Sequence, residues 1–481
     1  MVADFSGGHL SSDGGTLLLR ELDGHLGLNR QLSRCFSDRR DPRWVEHELP
    51  TLIAQRVHGI ALGYEDINDH DRLRLDPLFA ASCGRADLLG EQRFGEDKGK
   101  PLAGKSTLNR LELGAWQSEG HYRKIQADAQ KIEDLLVERG VQAIPRRSRV
   151  IVLDFDATDD PIHGQQEGRF FHGYYGNYCY LPLYCFCGDI PLWAELREAN
   201  QDGSAGTREA LEKILRAIRK RFGKRVVVIV RADSGFCRDE LMSWIEEQPK
   251  VHYCFGLARN KRLQKLLEPT FEEVLEDLSY PELVLSAMAA GAERLPEIEG
   301  TARRFSELRY RTLKSWSRER RVIGKAEITK GKENPRFIVT DITEEEDWAK
   351  DDAMFQDGQS LYEKFYCARG EMENRIKEQQ LDMFADRTST GNMASNQLRL
   401  WFSTFAYMLV SRLRAVALQG TRLAKSTVGS IRVHLLKIAA QVTVSVRRIH
   451  VRLASACPMA DVFAHAHRKL RELPCSNPDT G

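Results

Sequence analysis

The first third of the chain carries apolar residues at helical spacing. In residues 15–28 and 45–63, leucine, isoleucine and valine recur at intervals of three and four, the pattern of a helix with one buried face. The Asp41-Pro42 and Asp76-Pro77 pairs interrupt this pattern, as expected for short connections between helices. We therefore expect residues 1–147 to form a helical region.

From Ser148 onward, strand patterns alternate with helix patterns. Residues 149–158 are a β-branched and aliphatic run, and residues 173–199 are aromatic and alternating, with a turn signal at Gly188-Asp189. Further along, the patterns predict a helix over 207–222, a strand over 225–236, a helix over 238–247 and a strand over 252–258. Three strands, a helix, a strand, a helix and a strand indicate an α/β domain with a mixed sheet.

The chain changes character again between about Asn260 and Thr343, in a part that looks inserted into the α/β domain. Strands with basic, exposed faces are predicted there at 309–315, 320–329 and 336–342. Helical spacing resumes at Leu361 and continues to about Gln419, before the alternation of 441–454 predicts a last strand or amphipathic element. The predicted parts are the helical region 1–147, the first part of the α/β domain 148–260, a β-rich insertion 261–345, the second part of the α/β domain 346–420 and a C-terminal region 421–481.

Composition places the chain among soluble globular proteins, with 42% hydrophobic and 29% charged residues. At 481 residues it is long enough for two to four structural units. No stretch approaches the roughly 18 consecutive apolar residues of a membrane span. Residues 1–17 lack the basic start and apolar run of a secretory signal. We expect a cytoplasmic protein with no membrane partner.

Charge is distributed unevenly, although the net charge is only +2. From Ser411 to Gly481, twelve lysines and arginines stand against three acids, Asp461, Glu472 and Asp479. Such a segment suits a polyanion, because neutralising phosphates releases condensed counterions. A solvated basic face is the alternative explanation.

Three aspartates lie at the ends of predicted strands. Asp154 and Asp156 are two residues apart and so share one face of their strand, and Asp233 precedes a Ser-Gly turn. An unpartnered buried carboxylate is costly, whereas two carboxylates brought together can be stabilised by a divalent cation. Carboxylates that hold Mg²⁺ are suited to phosphodiester chemistry. Aspartate is also common in turns, so a structural role remains the alternative.

A polar stripe on the helix of residues 366–380 is the third candidate feature. At about 100° per residue, four side chains of this helix lie within roughly 80° of one another. They are Tyr366, Arg369, Glu373 and Lys377. Taken alone, the stripe also fits a solvated face with helix-spaced salt bridges.

In combination, these motifs resemble the DDE transposases of bacterial insertion sequences. The order is a strand ending in DFDAT (154–158), a strand ending in RADSGF (231–236), and Tyr-x₂-Arg-x₃-Glu on a helix. The similarity is to the branch with a β-rich insertion between the second aspartate and the glutamate. Further segments typical of this group are SSDGGTLLLREL (11–22), ALGYEDINDHDRLR (61–74), LAGKSTLNRLE (102–112) and DATDDPIHGQQEG (156–168).

The resemblance implies an RNase H-like mixed sheet, interrupted by the insertion and preceded by a helical DNA-binding domain. It implies Asp156, Asp233 and Glu373 as catalytic residues and ligands of Mg²⁺ or Mn²⁺, with Asp154 as the alternative to Asp156. Tyr366 and Arg369 match the DNA-contacting positions of the family's signature helix. The signature's last lysine is replaced by Gln380 in this chain, and Lys377 is the candidate substitute.

The resemblance also implies partners and a location. These are double-stranded DNA at the element ends and at the target, a homodimer on DNA, and association with the bacterial nucleoid. A nuclease that cuts without joining and a non-catalytic DNA-binding relative are the alternatives.

Three other features are weaker candidates. GKPLAGKS (99–106) fits a P-loop pattern, but no strand can precede it, so we expect no nucleotide cofactor and a helix capped by Ser106 or Thr107. His163 and His172 lack partners at zinc-ligand spacing and are expected to be turn or surface residues. The aromatic stretch 164–178 could contact DNA bases or fill a sheet face.

Overall fold

The computed structural model describes residues 3–4, 6–115, 124–292, 299–350, 352–445 and 447–474. Residues 475–481 of the predicted C-terminal region, and Val446 within the predicted last strand, lie outside the described residues. Across these described ranges, no helix has the length and apolar character to cross a membrane.

A nine-stranded mixed sheet forms the centre of the protein. Its strands are β1 Val150–Ala157, β2 Leu183–Cys187, β3 Ile190–Glu195, β4 Val227–Ala232, β5 Val251–Leu257, β6 Thr301–Tyr310, β7 Arg320–Thr329, β8 Lys332–Glu333 and β9 Arg336–Thr340. They lie side by side in the order β6, β7, β9, β5, β4, β1, β2, β3, with β8 paired to β7. β1 and β5 flank β4 in parallel, and all other neighbours are antiparallel. The predicted mixed α/β sheet is confirmed.

The segment 261–345 extends this sheet outward. β9 pairs with β5, and β7 and then β6 follow. The helices Lys261–Asp277 and Tyr280–Ala289 precede these strands, so the first part of the predicted β-rich insertion is helical. Asn260 begins the first helix by accepting hydrogen bonds from the backbone N–H groups of Arg262 and Leu263.

Two details of the predicted insertion strands are wrong. The strand predicted at 309–315 lies over Thr301–Tyr310, and the chain leaves the sheet after Tyr310. The predicted exposure holds for β6 but not for β7 and β9, which are largely buried. Their apolar side chains, such as Val322 and Ile338, pack into the cores on the two faces of the sheet.

Helices cover both faces of the sheet. One face packs against the helices Ala129–Ala143, Thr207–Phe222, Asp239–Glu246 and Lys261–Asp277. The other face packs against residues 358–382, which we call the interrupted helix. Its α-helical turns Gly358–Ser360 and Gly370–Lys377 alternate with π-helical turns Leu361–Tyr366 and Glu378–Asp382 and a 3₁₀ turn Cys367–Arg369. Wide π turns of this kind re-aim side chains and are frequent at functional sites.

The helical region at the start of the chain shares its core with later parts. Its helices are Thr16–Leu26, Leu28–Ser33, Leu49–Ala61, His70–Leu73, Pro77–Ser82, Lys105–Glu112 and Ala129–Ala143. They pack with Met393–Ala417, a 25-residue helix that we call the long helix, and with Ala460–Arg471. The long helix therefore joins the helical region to the rest of the protein.

The two ends of the chain meet in a small separate sheet. His9–Ser11 pairs with Ala440–Val444, which pairs in turn with Ile449–Leu453. The single element predicted at 441–454 is thus a hairpin of two strands. The Asp-Pro pairs begin helical turns, since Asp41 and Asp76 each accept hydrogen bonds from the first backbone N–H groups after the proline.

Candidate active site

Asp156 and Asp233 lie at the same edge of the sheet because they end neighbouring parallel strands. Asp156 is the penultimate residue of β1, and its side chain is 15% exposed. Asp233 directly follows β4, where its side chain accepts a hydrogen bond of 2.8 Å from the backbone N–H of Gly235. This bond closes a turn that directs the carboxylate away from the sheet. Both residues line one open cleft of about 690 Å³.

Glu373 reaches the same cleft from the interrupted helix. Its side chain is 49% exposed and accepts a hydrogen bond of 3.1 Å from Nη2 of Arg369. Nη1 of Arg369 lies 3.6 Å from a carboxylate oxygen of Asp156. The guanidinium of Arg369 is therefore ion-paired with both carboxylates.

Asp154 faces the same side of the sheet but does not line the cleft. It is buried in a two-point ion pair with Arg231, with N–O distances of 2.5 and 2.9 Å. Arg231 is the register partner of Asp154 on β4 and also donates to the backbone carbonyl of Phe365 on the interrupted helix. Arg231 thus neutralises the charge of the Asp154 carboxylate, and the pair lies beneath the interrupted helix.

Burial raises the pKa of Asp156 to about 7. Arg369 opposes this rise, while the nearby Asp233 and Glu373 carboxylates add to it. The cleft therefore holds more negative charge than its arginine neutralises. Such an imbalance disfavours ionisation of Asp156 and favours any added cation.

The other stripe residues also lie beside the cleft. Burial raises the pKa of Tyr366 to about 12, and its ring packs among the apolar side chains under the interrupted helix. Lys377 lines the cleft, is exposed, and has no acidic partner among the described residues. Gln380 lines it as well and donates to the backbone carbonyl of Asp159. The structure thus brings the predicted site residues to one surface, apart from Asp154 and Tyr366, which do not line the cleft.

Aromatic residues that the sequence left undecided form one wall of the cleft. His172, Tyr174 and Tyr175 line it, and the Tyr174 side chain is 86% exposed. They belong to the hairpin of Phe170–His172 and Asn177–Tyr180, on which Phe171 and Tyr178 are also exposed. The expectation that His172 is only a surface residue is incomplete, because this histidine faces the cleft. His163 is not among the lining residues.

The residues present fit a divalent cation only in part. Asp156 and Asp233 supply two carboxylates to one cleft, close enough for Asp233 to contribute to the raised pKa of Asp156, and such a pair suits Mg²⁺. In the part of the chain that the structure describes, however, no three acid, histidine or cysteine side chains lie close enough together to hold a metal ion. Glu373 is hydrogen-bonded to Arg369 instead.

Comparison with known families decides the assignment. A model of the transposase DDE domain, group 1, matches residues 1–475. The chain belongs to this family of DDE transposases. The predicted family is therefore confirmed. No curated protein matches the sequence. A cryo-EM structure of the piggyBac transposase synaptic complex with hairpin DNA is 13% identical, with a TM-score of 0.38, over 88% of this chain and 80% of that one.

Sequence analysis of this transposase missed Arg231 and misplaced one helix start. A charged residue within an apolar strand was the available signal, because a buried arginine requires an acidic partner. The helix predicted to be capped by Ser106 or Thr107 begins at Lys105, and Asp71 accepts a hydrogen bond from the backbone N–H of Lys105. Among the described residues 84–104 there is no strand of the kind a P-loop requires.

Proposed function

We propose that this transposase binds the terminal inverted repeats of its insertion sequence, cleaves DNA at the element ends and joins them to target DNA. The observation that carries the proposal is that Asp156, Asp233 and Glu373 line one open cleft. They come from three elements far apart in the chain. Family membership supports DNA cleavage and joining as the chemistry.

We infer that the central sheet is RNase H-like. The support is its strand order, in which three antiparallel strands, β3, β2 and β1, are followed by β4 and β5 parallel to β1. The segment 261–345 then continues the same sheet beyond β5. A helical DNA-binding region at 1–147 and the five-part division of the chain remain part of the proposal.

Asp156 and Asp233 would hold Mg²⁺ or Mn²⁺, with Glu373 as the third ligand. Such an ion, when bound, activates the attacking hydroxyl and stabilises the leaving oxygen of a phosphodiester. Asp156 has to release its proton before it can act as a ligand, because its pKa of about 7 leaves it partly protonated at neutral pH. Asp154 is not proposed as a ligand, since Arg231 already neutralises it.

Arg369 would couple DNA binding to the approach of Glu373 to Asp156 and Asp233. In the protein alone it is paired with Glu373 and Asp156. A phosphate that enters the cleft is an alternative partner of comparable strength for a guanidinium. Transfer of Arg369 to that phosphate would release Glu373 toward the two aspartates.

The remaining DNA contacts are assigned by charge and position. Tyr366, Arg369 and Lys377 would contact the phosphate backbone near the cut; Arg369 and Lys377 line the cleft, whereas the half-buried Tyr366 lies beside it. The exposed rings around Tyr174 would contact bases. The N-terminal helices would recognise the terminal repeats, while basic residues of 261–345 and 421–481 hold flanking DNA. Two copies of the chain would bridge two DNA ends.

The test of the cleft is the variant Asp233→Asn. We expect end binding within about threefold of wild type in a gel-shift assay, because the substitution keeps size and hydrogen bonding. Nicking in Mg²⁺ should fall at least about 100-fold, because a metal ligand is removed. Glu240→Gln, a charge removal on the exposed face of a neighbouring helix, is the matched control and should nick normally. Normal nicking by Asp233→Asn would contradict the assignment.

Joining is tested separately with a pre-nicked end that carries a free 3′-hydroxyl. A transposase should transfer this end into a supercoiled plasmid in Mg²⁺ or Mn²⁺. Cleavage without any transfer product would identify a nuclease, and end binding without either reaction would identify a non-catalytic relative.

A further inference from the structure

A strongly basic surface lies at the opposite end of the sheet from the cleft. It comprises nine lysines and arginines, which we call the basic edge patch: Arg146, Arg147, Arg149, Arg216, Lys220, Arg221, Lys224, Arg225 and Arg412. Seven of them are exposed, and the exceptions are Arg221 and Arg412, which are half-buried. Within the described residues, none of the nine forms an ion pair with an acid. The chain's net charge of +2 makes this concentration local rather than general.

Three elements bring these residues together. Arg149 immediately precedes β1, and Arg225 lies just before β4, so both stand at the amino ends of neighbouring parallel strands. The last turns of the helix Thr207–Phe222 add Arg216, Lys220 and Arg221. Arg146 and Arg412 lie close enough to Arg221 to lower its pKa, together with burial, which has the larger effect.

A purely structural role explains only part of the patch. Lysine and arginine in the last turn of a helix are stabilised by the helix dipole, which accounts for Lys220 and Arg221. Arg221 also donates to the backbone carbonyl of Val141 and so secures the neighbouring helix. Neither argument applies to the exposed residues of 146–149 and 224–225. Like charges crowded without acids destabilise the fold and suggest an anionic ligand.

A groove runs through the patch. It has a volume of about 660 Å³ and lies between the helices Ala129–Ala143 and Thr207–Phe222. Arg146, Arg216, Lys220 and Arg221 line it, together with Lys213, which is paired with Glu133. Asp134 and Glu138 line the wall formed by the first helix. The acids of that wall would repel a phosphate backbone inside the groove, so the exposed residues of 146–149 and 220–225 beside the groove are the surface along which such a backbone fits.

The patch is too far from the cleft to serve it. Arg149 and Asp156 are seven residues apart on one strand, which corresponds to about 23 Å at the usual rise per residue. This is roughly three times the screening length of about 8 Å at physiological ionic strength. A duplex advances about 3.4 Å per base pair, so the patch is about seven base pairs away from the cleft.

We propose that the basic edge patch is a second DNA-binding surface, which holds the phosphate backbone of duplex DNA about seven base pairs or more from the phosphate in the cleft. The inference rests on the proposed function in taking DNA as the ligand. The bound backbone belongs either to the continuation of the DNA end in the cleft or to a second duplex.

The test compares two variants of the full chain. One replaces Arg147, Lys220, Lys224 and Arg225 by glutamine, and leaves Arg221 in place because of its bond to Val141. The matched control exchanges lysine and arginine at the same four positions, so that the charge is kept. Affinity is measured by fluorescence anisotropy against NaCl concentration in EDTA. The probes are a hairpin duplex of about five base pairs, shorter than the distance to the patch, and an end duplex of about 40 base pairs.

For wild type and the control, we expect a steeper salt dependence on the long duplex than on the short one. The glutamine variant should lose this difference, with its slope reduced by about 0.9 for each phosphate that it no longer neutralises, and should bind the long duplex at least about tenfold more weakly. Its affinity for the short duplex and its thermal unfolding should match wild type. Equal slopes and affinities of the glutamine variant and the control on the long duplex would overturn the proposal.

The same titrations show whether the DNA backbone bound at the patch belongs to the duplex in the cleft or to a second duplex. If one duplex spans both surfaces, the extra salt dependence appears at one duplex per protein. If a second duplex is held, it appears as a second binding step that unrelated DNA competes away. Because EDTA prevents cleavage, failure of wild type to nick in Mg²⁺ would refute the proposed function and leave this result standing.

Discussion

The Arg231–Asp154 pair is a buried ion pair beneath the interrupted helix. Both side chains are almost fully buried, and Arg231 also donates to the backbone of the interrupted helix. Removal of one partner from such a pair leaves an uncompensated charge, which typically costs about 3–5 kcal/mol. We expect Arg231→Met to reduce the free energy of unfolding by this amount in urea titrations. The double variant Arg231→Met with Asp154→Leu should recover much of the loss. If the double variant is no more stable than Arg231→Met, the loss of stability does not come from an uncompensated Asp154 carboxylate.

Asp156 should make stability depend on pH in the opposite sense to an ordinary salt-bridged carboxylate. Its pKa is about 7 in the folded protein and about 3.9 in the unfolded chain, so the folded state binds the proton more tightly. The contribution of Asp156 to the free energy of unfolding is therefore fully present below about pH 4, and it is lost as the pH rises through 7. Arg369 moderates the effect, and Asp233 and Glu373 increase it.

Asp156→Asn should accordingly raise the melting temperature at pH 8 in EDTA, by an amount equivalent to at most about 4 kcal/mol. The gain should vanish near pH 4. Calorimetry at several pH values measures it, with Glu240→Gln as the charge-removal control. A gain that does not depend on pH would show that Asp156 is ionised normally in the fold.

At this scale the family resemblance ranked Asp156 before Asp154, whereas the spacing of residues along the strand did not rank them. Strand alternation puts Asp154 and Asp156 on one face, and spacing contains nothing that separates them. Their difference depends on Arg231, which the register of two parallel strands sets opposite Asp154. Register between distant strands is a tertiary property, so the ion pair that distinguishes the surroundings of Asp154 from those of Asp156 could not be predicted from spacing.

Among the elements, the position of the interrupted helix depends on its close approach to β5 at Gly256. A methyl group on Gly256 would lie 2.5 Å from the Tyr366 hydroxyl and 2.9 Å from the backbone nitrogen of Ser234. Gly256→Ala should therefore displace both the helix that carries Glu373 and the turn after Asp233. We expect nicking to fall more than about tenfold, since small displacements of catalytic groups have large effects on rate.

The matched control is Gly370→Ala on the same helix, where a methyl group would meet no other atom within 4 Å. It should nick normally and gain up to about 1 kcal/mol of stability from helix propensity. Tyr366→Phe in the Gly256→Ala background should restore part of the nicking, because it removes the closest atom. Full activity of Gly256→Ala would show that the helix and turn accommodate the methyl group.

Periodicity predicted the main strands and helices of the α/β domain and the strands β7 and β9 of 261–345, but not the two helices of that segment or the position of β6. The helix Lys261–Asp277 contains Pro269, which normally marks a helix end. The first half of β6 is largely polar, and its partner β7 supplies the pairing that makes it a strand. The π turns of the interrupted helix likewise follow from packing on the sheet, because they leave no distinctive spacing of apolar residues.

In the whole molecule, the two ends of the chain stabilise each other. The long helix is buried between the N-terminal helices and β3, where the Trp401 indole N–H donates to the carbonyl of Ala194. Glu112, near the end of an N-terminal helix, is buried and paired with Arg56 and with Arg399 of the long helix. The contacts of the long helix with Ala194 and Glu112 join residues 207 and 287 positions apart, so they could not be predicted from local patterns. Helical content at 1–147 was predictable, whereas its shared core was not.

The fragment 1–147 should therefore not fold alone, although it carries the pattern of a helical domain. Without the long helix and Ala460–Arg471, the apolar faces of Thr16–Leu26 and Leu49–Ala61 would be exposed to water. Glu112 would lose Arg399, and the strand His9–Ser11 would lose its partner. We expect this fragment to show partial helicity by circular dichroism but no cooperative thermal transition, whereas the full chain unfolds cooperatively. A fusion of 1–147 to 390–474 through a flexible linker restores the missing surfaces and should regain a transition. A sharp transition in 1–147 alone would instead show that the helical region has a sufficient core of its own, and end recognition could then be assayed on it in isolation.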